Sequence, residues 1–247
     1  MTQDMHRFYD HEAERKKWGE TLVGEGLFRT EARLIERYFR PGESVLDVGC
    51  GGGREAFALA TLRLSVTAVD YTPAFVETCA RNARERGLAI RVLQADAAEL
   101  PFDDEAFDHV VMIGQLLGHV RPRERRLRVL REIRRVMKPG VALVSTNSVE
   151  RRLRYRAYFA VANLVRAFHN PHGFEPFDAF VRRIGGEPSA GPDRLIFHWY
   201  RTRDFLRDAR EAGWEVVELA RRWKFEKQLA DPSTSGETFY ALRKGAR

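Results

Sequence analysis

The chain has 247 residues, 44% of them hydrophobic, enough for one large domain with a well-buried core, alone or with a small appendage. No apolar run approaches the roughly 20 residues of a bilayer span, and the N-terminus, MTQDMHRFYDHEAERKKWGE, lacks the apolar centre of a secretory signal, so a cytoplasmic protein is expected. The formal charge of +7 is a weak pointer to nucleic acid, because 36 of the 42 basic residues are arginine and a codon preference would produce the same excess.

Taken in chain order, residues 1–43 read as a helical segment carrying Phe8, Tyr9 and Trp18 among charges, suited to lie over a ligand as a helix or to pack permanently on the domain. Ser44 to Val48 reads as a short buried strand, Arg54 to Leu62 as a helix and Ser65 to Val69 as a second strand. Thr72-Pro73 opens the next helix, with threonine as N-cap and proline at the first position, and Gly87 ends it. Strands follow at Ala89 to Ala95, Phe107 to Ile113 and Val141 to Thr146, with a helix over Glu124 to Met137. Repeated βα units of this length predict an α/β fold, a parallel sheet with helices on both faces.

The order changes after Asn147. Residues 151–200 hold ten of the chain's 27 aromatics in a mostly helical pattern interrupted by NPHGFEPF and GGEPSAGP, and read as an insertion acting as a lid. A helix over Arg203 to Ala212, capped by Gly213, and a strand at Trp214 to Leu219 resume the pattern. The last strand, Glu237 to Leu242, follows a loop, DPSTSGE, too short for a crossover helix, so it is expected to enter antiparallel. The whole is expected to be a single domain of 247 residues: the N-terminal segment, a core over 44–150, the lid over 151–200 and the rest of the sheet over 201–247.

The stretch VLDVGCGGG carries four glycines in five residues, Gly49, Gly51, Gly52 and Gly53, at a strand-to-helix turn, where a bare backbone admits a nucleotide-like ligand. Read as GxGxxA, Gly51, Gly53 and Ala56 satisfy a dinucleotide fingerprint. Against that reading stands Asp47, a carboxylate that would repel a pyrophosphate and favour a ligand with a cationic amino group. Asp70, 23 residues on at the end of the second strand, is placed to accept both hydroxyl protons of a ribose, and Asp96 follows the third strand where it can meet an adenine edge. Adenine, free ribose and a charged amino-acid tail describe S-adenosylmethionine. The two cysteines, Cys50 and Cys79, form no CxxC pair or ligand cluster, so neither a disulfide nor a metal site is expected.

With VLDVGCGGG, VTAVD, LQADAAELPFDDEAFDHVVM and LREIRRVMKPG in this order, the chain resembles the class I S-adenosylmethionine-dependent methyltransferases, most of all the small-molecule group that includes the ubiquinone and menaquinone biosynthesis enzymes. The resemblance runs from Ser44 to Asn147 and resumes through FHWYRTRDFLRDAREAGWEVVEL; Val141 departs from it, standing where the family usually has a second glycine after KPG. It implies a Rossmann-like seven-stranded sheet with the last strand antiparallel, and S-adenosylmethionine as cofactor, leaving S-adenosylhomocysteine. It further implies that Asp47, Gly49, Cys50, Gly51 and Gly53 form the loop under the methionine portion, that Asp70 holds the ribose with Tyr71 beside it on the adenine, that Asp96 and Ala97 face the adenine, and that Ile113 to Gln115 edge the sulfonium.

An activated methyl asks mainly for a nucleophile held in line and for exclusion of water, so a base is optional. Where one is needed, a histidine of near-neutral pKa is suited; His119, in IGQLLGHV, and His198, in FHWY, are the candidates, each with a structural reading as capping or packing residue. Tyr155, Tyr158, Phe159, Phe168, Phe174 and Phe177 are candidate pocket walls, suited to a planar or apolar small molecule, although an inserted layer must also bury its own face and most of these rings are expected to be its core. RNA methylation and a non-catalytic cofactor-binding scaffold are the other readings. The arginines of RPRERRLRVLREIRRVMK, alternating with apolar residues at helical spacing, need no RNA to explain them.

Overall fold

The computed structural model describes residues 8, 9, 11–151, 153–182, 194–226 and 236–245. Seven strands form one sheet: β1 (Ser44–Val48), β2 (Ser65–Asp70), β3 (Arg91–Gln94), β4 (His109–Met112), β5 (Ala142–Asn147), β8 (Trp214–Arg221) and β9 (Glu237–Lys244). Their order is β3-β2-β1-β4-β5-β9-β8, parallel but for β9, which runs antiparallel to both neighbours. The expected fold class is the one present.

Period-two burial assigns each strand residue a face. Leu46, Val48, Val110, Met112 and Val144 face a core closed by α5 (Arg123–Val136) and α7 (Thr202–Glu211), through Leu130, Ile133, Phe205 and Ala209. Val45, Val66, Ala68, Val111 and Leu143 face the opposite core, closed by α2 (Arg29–Tyr38), α3 (Arg54–Thr61) and α4 (Pro73–Glu85), through Leu34, Ile35, Leu59 and Cys79. Each fully buried Leu, Ile or Phe adds roughly 1.5–3 kcal/mol against exposure, so two covered faces hold the sheet rigid. The α5 arginines do not simply face water: Arg126 is buried and paired with Glu175 at 2.8 Å, and Arg123 reaches Asp208 at 2.8 Å.

Before the sheet, α1 (Glu12–Lys16) continues through irregular helical turns to Glu25 and crosses the end of β1. Between β5 and α7 comes the insertion: α6 (Leu153–Phe168), then β6 (Asp178–Arg182) paired antiparallel with β7 (Arg194–His198). This hairpin differs from the mostly helical expectation. DAFVR and RLIFH are too short to show strand alternation inside an aromatic-rich stretch, and their pairing is non-local. GGEPSAGP, and DPSTSGE up to Ser235, lie outside the described residues. A short helix, α8 (Arg222–Phe225), leaves the end of β8.

Because β2 lies to one side of β1 and β4 to the other, the connections out of the sheet diverge between β1 and β4. A crevice opens there at the carboxyl ends of the strands.

Candidate active site

The glycine turn is built by the end of β2: the amides of Gly49 and Cys50 both donate to the Val69 carbonyl, at 2.7 and 3.0 Å, swinging the chain across β2 toward α3. Two of its glycines have separable reasons. Gly51 sits at φ +51°, and a Cβ added there would meet nothing nearer than the Trp18 carbonyl at 3.5 Å, so its missing side chain leaves room for a ligand. At Gly52 a Cβ would come within 2.4 Å of the Gly19 carbonyl oxygen, so that position is bare because the N-terminal segment lies on it. Gly52 N–H donates to the Trp18 carbonyl at 3.1 Å, and the Asn82 side-chain amide, 3.1 Å from both, spans the Gly19 and Gly52 carbonyls.

Over this turn lies a cavity of about 450 Å³. Gly49, Gly51, Asp70, Tyr71, Ala97, Ile113, Gln115 and His119, all expected site residues, line it. Asp70 is nearly buried; its two oxygens accept from Gly51 N–H at 3.0 Å and Thr72 N–H at 2.8 Å. Burial raises its pKa, against the lowering effect of those amides. Ile113 and Gln115 end β4, where Gly114 N–H donates to Glu237 at 3.2 Å and Gln115 N–H to Ser145 Oγ at 3.0 Å, tying the crevice wall to β5 and β9.

Other expected residues lie outside the lining. Asp47, 2% exposed, sits beneath the loop; its Oδ2 has no hydrogen-bond partner, and burial, then Glu55, raise its pKa. Cys50 is buried, its thiol pKa raised first by a hydrogen bond with Cys79 and then by burial. Gly53 is the N-cap of α3, against the Phe57 ring. Asp96 turns aside: it accepts from Ala98 N–H at 2.9 Å and pairs with Arg125, leaving Ala95 and Ala97 on the cavity wall.

The two histidines part company. His119 lines the cavity, its Nε2 2.9 Å from the Tyr9 hydroxyl and its ring edge-on to Phe197 at 4.7 Å; burial pushes its pKa down to about 4. His198 lies off the cavity, its Nδ1 2.9 Å from Asp178, which also holds Arg121 at 2.9 Å. Glu175, Asp178 and His198 are close enough together to hold an ion, yet arginines occupy both carboxylates, so the group latches the hairpin to α5.

Of the six aromatic walls expected from the insertion, only Tyr155 reaches the cavity. Phe159 is core, 2% exposed; Tyr158 and Phe168 face solvent; Phe174 packs on His172 and Phe180, and Phe177 on Phe159. The walls are instead Phe8, Tyr9, Trp18 and Phe75 with Phe197 and Trp199, the last tilted against Tyr155 with ring centroids 5.0 Å apart. A polar end was also missed. Arg54 and Arg222 both bind the buried Glu31, at 2.7 Å each, and Arg222 pairs with Glu237 at 2.9 Å; Asn147 and Glu55 complete it. Charged residues at the starts of apolar elements, Arg54-Glu55 after the glycines and Glu237 before TFYAL, are the sequence signal that marks this end.

Residues 45–140 match the methyltransferase domain family. The chain is 35% identical over 105 residues to the probable tRNA methyltransferase 9B of Mus musculus, covering 42% of this chain and 22% of that protein. It is 36% identical over 103 residues to the demethylmenaquinone methyltransferase of Clavibacter sepedonicus, covering 42% and 40%. The chain thus spans well under two thirds of these relatives. Among solved structures, a SAM-dependent methyltransferase from Methanosarcina mazei superposes with a TM-score of 0.71 at 21% identity, over 90% of this chain and all of that one, a likeness of fold.

Proposed function

We propose that this chain, which belongs to the class I S-adenosylmethionine-dependent methyltransferases, methylates an oxygen, nitrogen or carbon nucleophile of a planar or apolar small molecule. One observation carries the reading: a single cavity runs from Asp70 and Gly51 to His119 and Trp199, so a cofactor pocket and an aromatic chamber share one space.

The residues fit S-adenosylmethionine. Gly51 leaves its side of the cavity open, and Asp70, oriented by the Gly51 and Thr72 amides, lines the cavity where its carboxylate can meet a ribose hydroxyl. Ala95, Ala97 and Tyr71 offer an apolar wall to an adenine ring, and Gly49 with Ile113 to Gln115 flanks the amino-acid end. When bound, the cofactor supplies an electrophilic methyl on a sulfonium. The chain's own task is then to hold the acceptor and exclude water, which Tyr9, Trp18, Tyr155 and Trp199 do from two sides. His119, neutral at physiological pH, can accept a proton from a hydroxyl or amine, but burial pushes its pKa down to about 4 and makes it a weaker base than the near-neutral histidine expected.

RNA methylation is the second reading, favoured by the +7 charge and by the mouse relative's name. Against it, Arg123, Arg125, Arg126 and Arg135 of α5 are engaged with carboxylates. A third reading, a cofactor-binding scaffold without activity, rests on the cofactor end being better defined than any base. The test is labelled methyl transfer into metabolite extracts and into bulk tRNA, across a salt series. Transfer into an organic-soluble product supports the proposal; salt-sensitive transfer into tRNA replaces it with the second reading. Tight S-adenosylhomocysteine binding without transfer to either would leave the scaffold. None of the described helices is long and apolar enough to cross a membrane.

A further inference from the structure

The polar end of the cavity is more than a brace. Asn147 closes β5, and its Oδ1 is buried without a hydrogen-bond partner although the residue is only 8% exposed. Beside it, across the antiparallel register, stands Glu237. Glu237 Oε1 accepts from Gly114 N–H and Ser145 Oγ–H, and Oε2 pairs with Arg222, three partners for a carboxylate with about four acceptor positions. A buried amide oxygen without a partner costs free energy comparable to a lost hydrogen bond, unless something that enters the cavity supplies a donor.

The location decides what that something is. The Asn147 carbonyl accepts from Tyr200 N–H at 3.0 Å, which brings the neighbouring Trp199, and Tyr155 packed against it, alongside the Asn147 end of the cavity. Aromatic walls and an unpaired acceptor thus adjoin, at the end of β5. Asp70, the proposed ribose contact, lies at the end of β2, separated from β5 in the sheet by β1 and β4. The charged side chains grouped there, Glu31, Glu55, Glu226 and Glu237 against Arg54 and Arg222, carry more negative than positive formal charge and disfavour an anionic acceptor.

We propose that Asn147 and Glu237 form the acceptor-recognition end of the site, and that the methyl acceptor is a flat ring bearing a hydroxyl or amine, a hydroxyl donating its hydrogen to the Asn147 amide oxygen and an amine donating also to the remaining acceptor position of Glu237. The inference rests on the methyl-transfer reading and narrows its substrate class from planar or apolar molecules to neutral or cationic aromatic donors.

The test pairs hydroxy- and amino-naphthalenes with their methoxy and dimethylamino counterparts, with binding followed by tryptophan fluorescence in the presence of S-adenosylhomocysteine. The parent should prefer the donor-bearing rings by about tenfold. Asn147→Leu, similar in size, should abolish that preference while S-adenosylhomocysteine affinity stays within about twofold, and Asn147→Asp, which keeps an acceptor oxygen, should restore it. Glu237→Gln should reduce the preference in part, scored only if its melting temperature matches the parent. Equal binding of donor and donor-free rings by the parent, or an unchanged preference in Asn147→Leu, overturns the proposal. So does a tenfold loss of S-adenosylhomocysteine affinity in Asn147→Leu, which would assign the residue to the cofactor. Failure of the underlying reading looks different: the parent would not bind S-adenosylhomocysteine, or would bind it and label only tRNA, or nothing, in the methyl-transfer assay.

Discussion

The cradle and the cover of the cavity are built on opposite plans. The cradle is backbone and carboxylates from consecutive βα units, β1 through β4, fixed by a sheet covered on both faces. The cover is a set of rings gathered from residues 8–22, Tyr155 and 197–199, joined chiefly by side-chain contacts such as Tyr9 with His119 and Tyr155 with Trp199. A cradle of this kind tolerates little change in shape, because a bound nucleoside meets main chain that cannot step aside. A cover of side chains can be re-lined one ring at a time, which is how one fold comes to serve many acceptors.

The sharpest way to break this contrast is Gly51→Val. The branched side chain would enter open cavity from a residue at φ +51°, so S-adenosylhomocysteine affinity should fall more than about 100-fold by calorimetry, with the circular dichroism of a folded sheet retained and the melting temperature lowered by the strained backbone. Retained affinity would show that the loop yields like a side chain, and the contrast would fail.

Acid separates the two regions next. Buried His119 has a folded pKa of about 4, below its unfolded value, so its contribution to stability is whole above about pH 6.5 and lost as pH falls toward 4, roughly 3 kcal/mol in all. In the cradle, burial raises the pKa of Asp47 and Asp70, so their contribution runs the other way, present at low pH and lost as pH rises through the folded values. Urea unfolding at pH 7 and 4.5 should therefore show His119→Asn losing less stability on acidification than the parent. An equal loss in both would remove His119 as the acid-sensitive part of the cover.

Asp70→Ala should weaken S-adenosylhomocysteine by roughly 1–3 kcal/mol, through lost ribose bonds and two amides left without an acceptor. NAD binding should remain negligible in parent and variant; NAD bound by the variant with good affinity would reverse the cofactor assignment. The smallest effect belongs to the cover: Tyr155→Ala should raise the acceptor's KM several-fold, about 1 kcal/mol, and leave S-adenosylhomocysteine affinity within about twofold. A matching loss for both ligands would mean that cradle and cover act as one unit.

The same contrast explains what could be read from residue order. Gly49 to Gly53, Asp70 and the alternating strands and helices of a mostly parallel sheet were legible because each depends on neighbours within one βα unit, where glycine, a strand-end acid and helix caps are local signals. Asp96 could be placed in the chain but its pairing could not: its partner, Arg125, lies 29 residues away, and no periodicity reveals that pair. The rings of the cover could not be sorted into wall and core for the same reason. Tyr155 faces the cavity while Phe159, one helical turn on, is core, and the choice depends on a hairpin whose strands are not adjacent in sequence. Glu237 and Asn147 meet only through the register of β5 with β9.

The staple at Gly52 bears on timing. Trp18 and Tyr9 line the cavity, and the Asn82 amide that spans the Gly19 and Gly52 carbonyls ties their segment to the turn, so parting of the two would widen the way out for a nucleoside-sized molecule. Turnover then becomes a matter of residence: a looser staple discharges the spent cofactor sooner and guards the reacting pair less well, so the dwell time of S-adenosylhomocysteine is written into a contact far from any transferred atom.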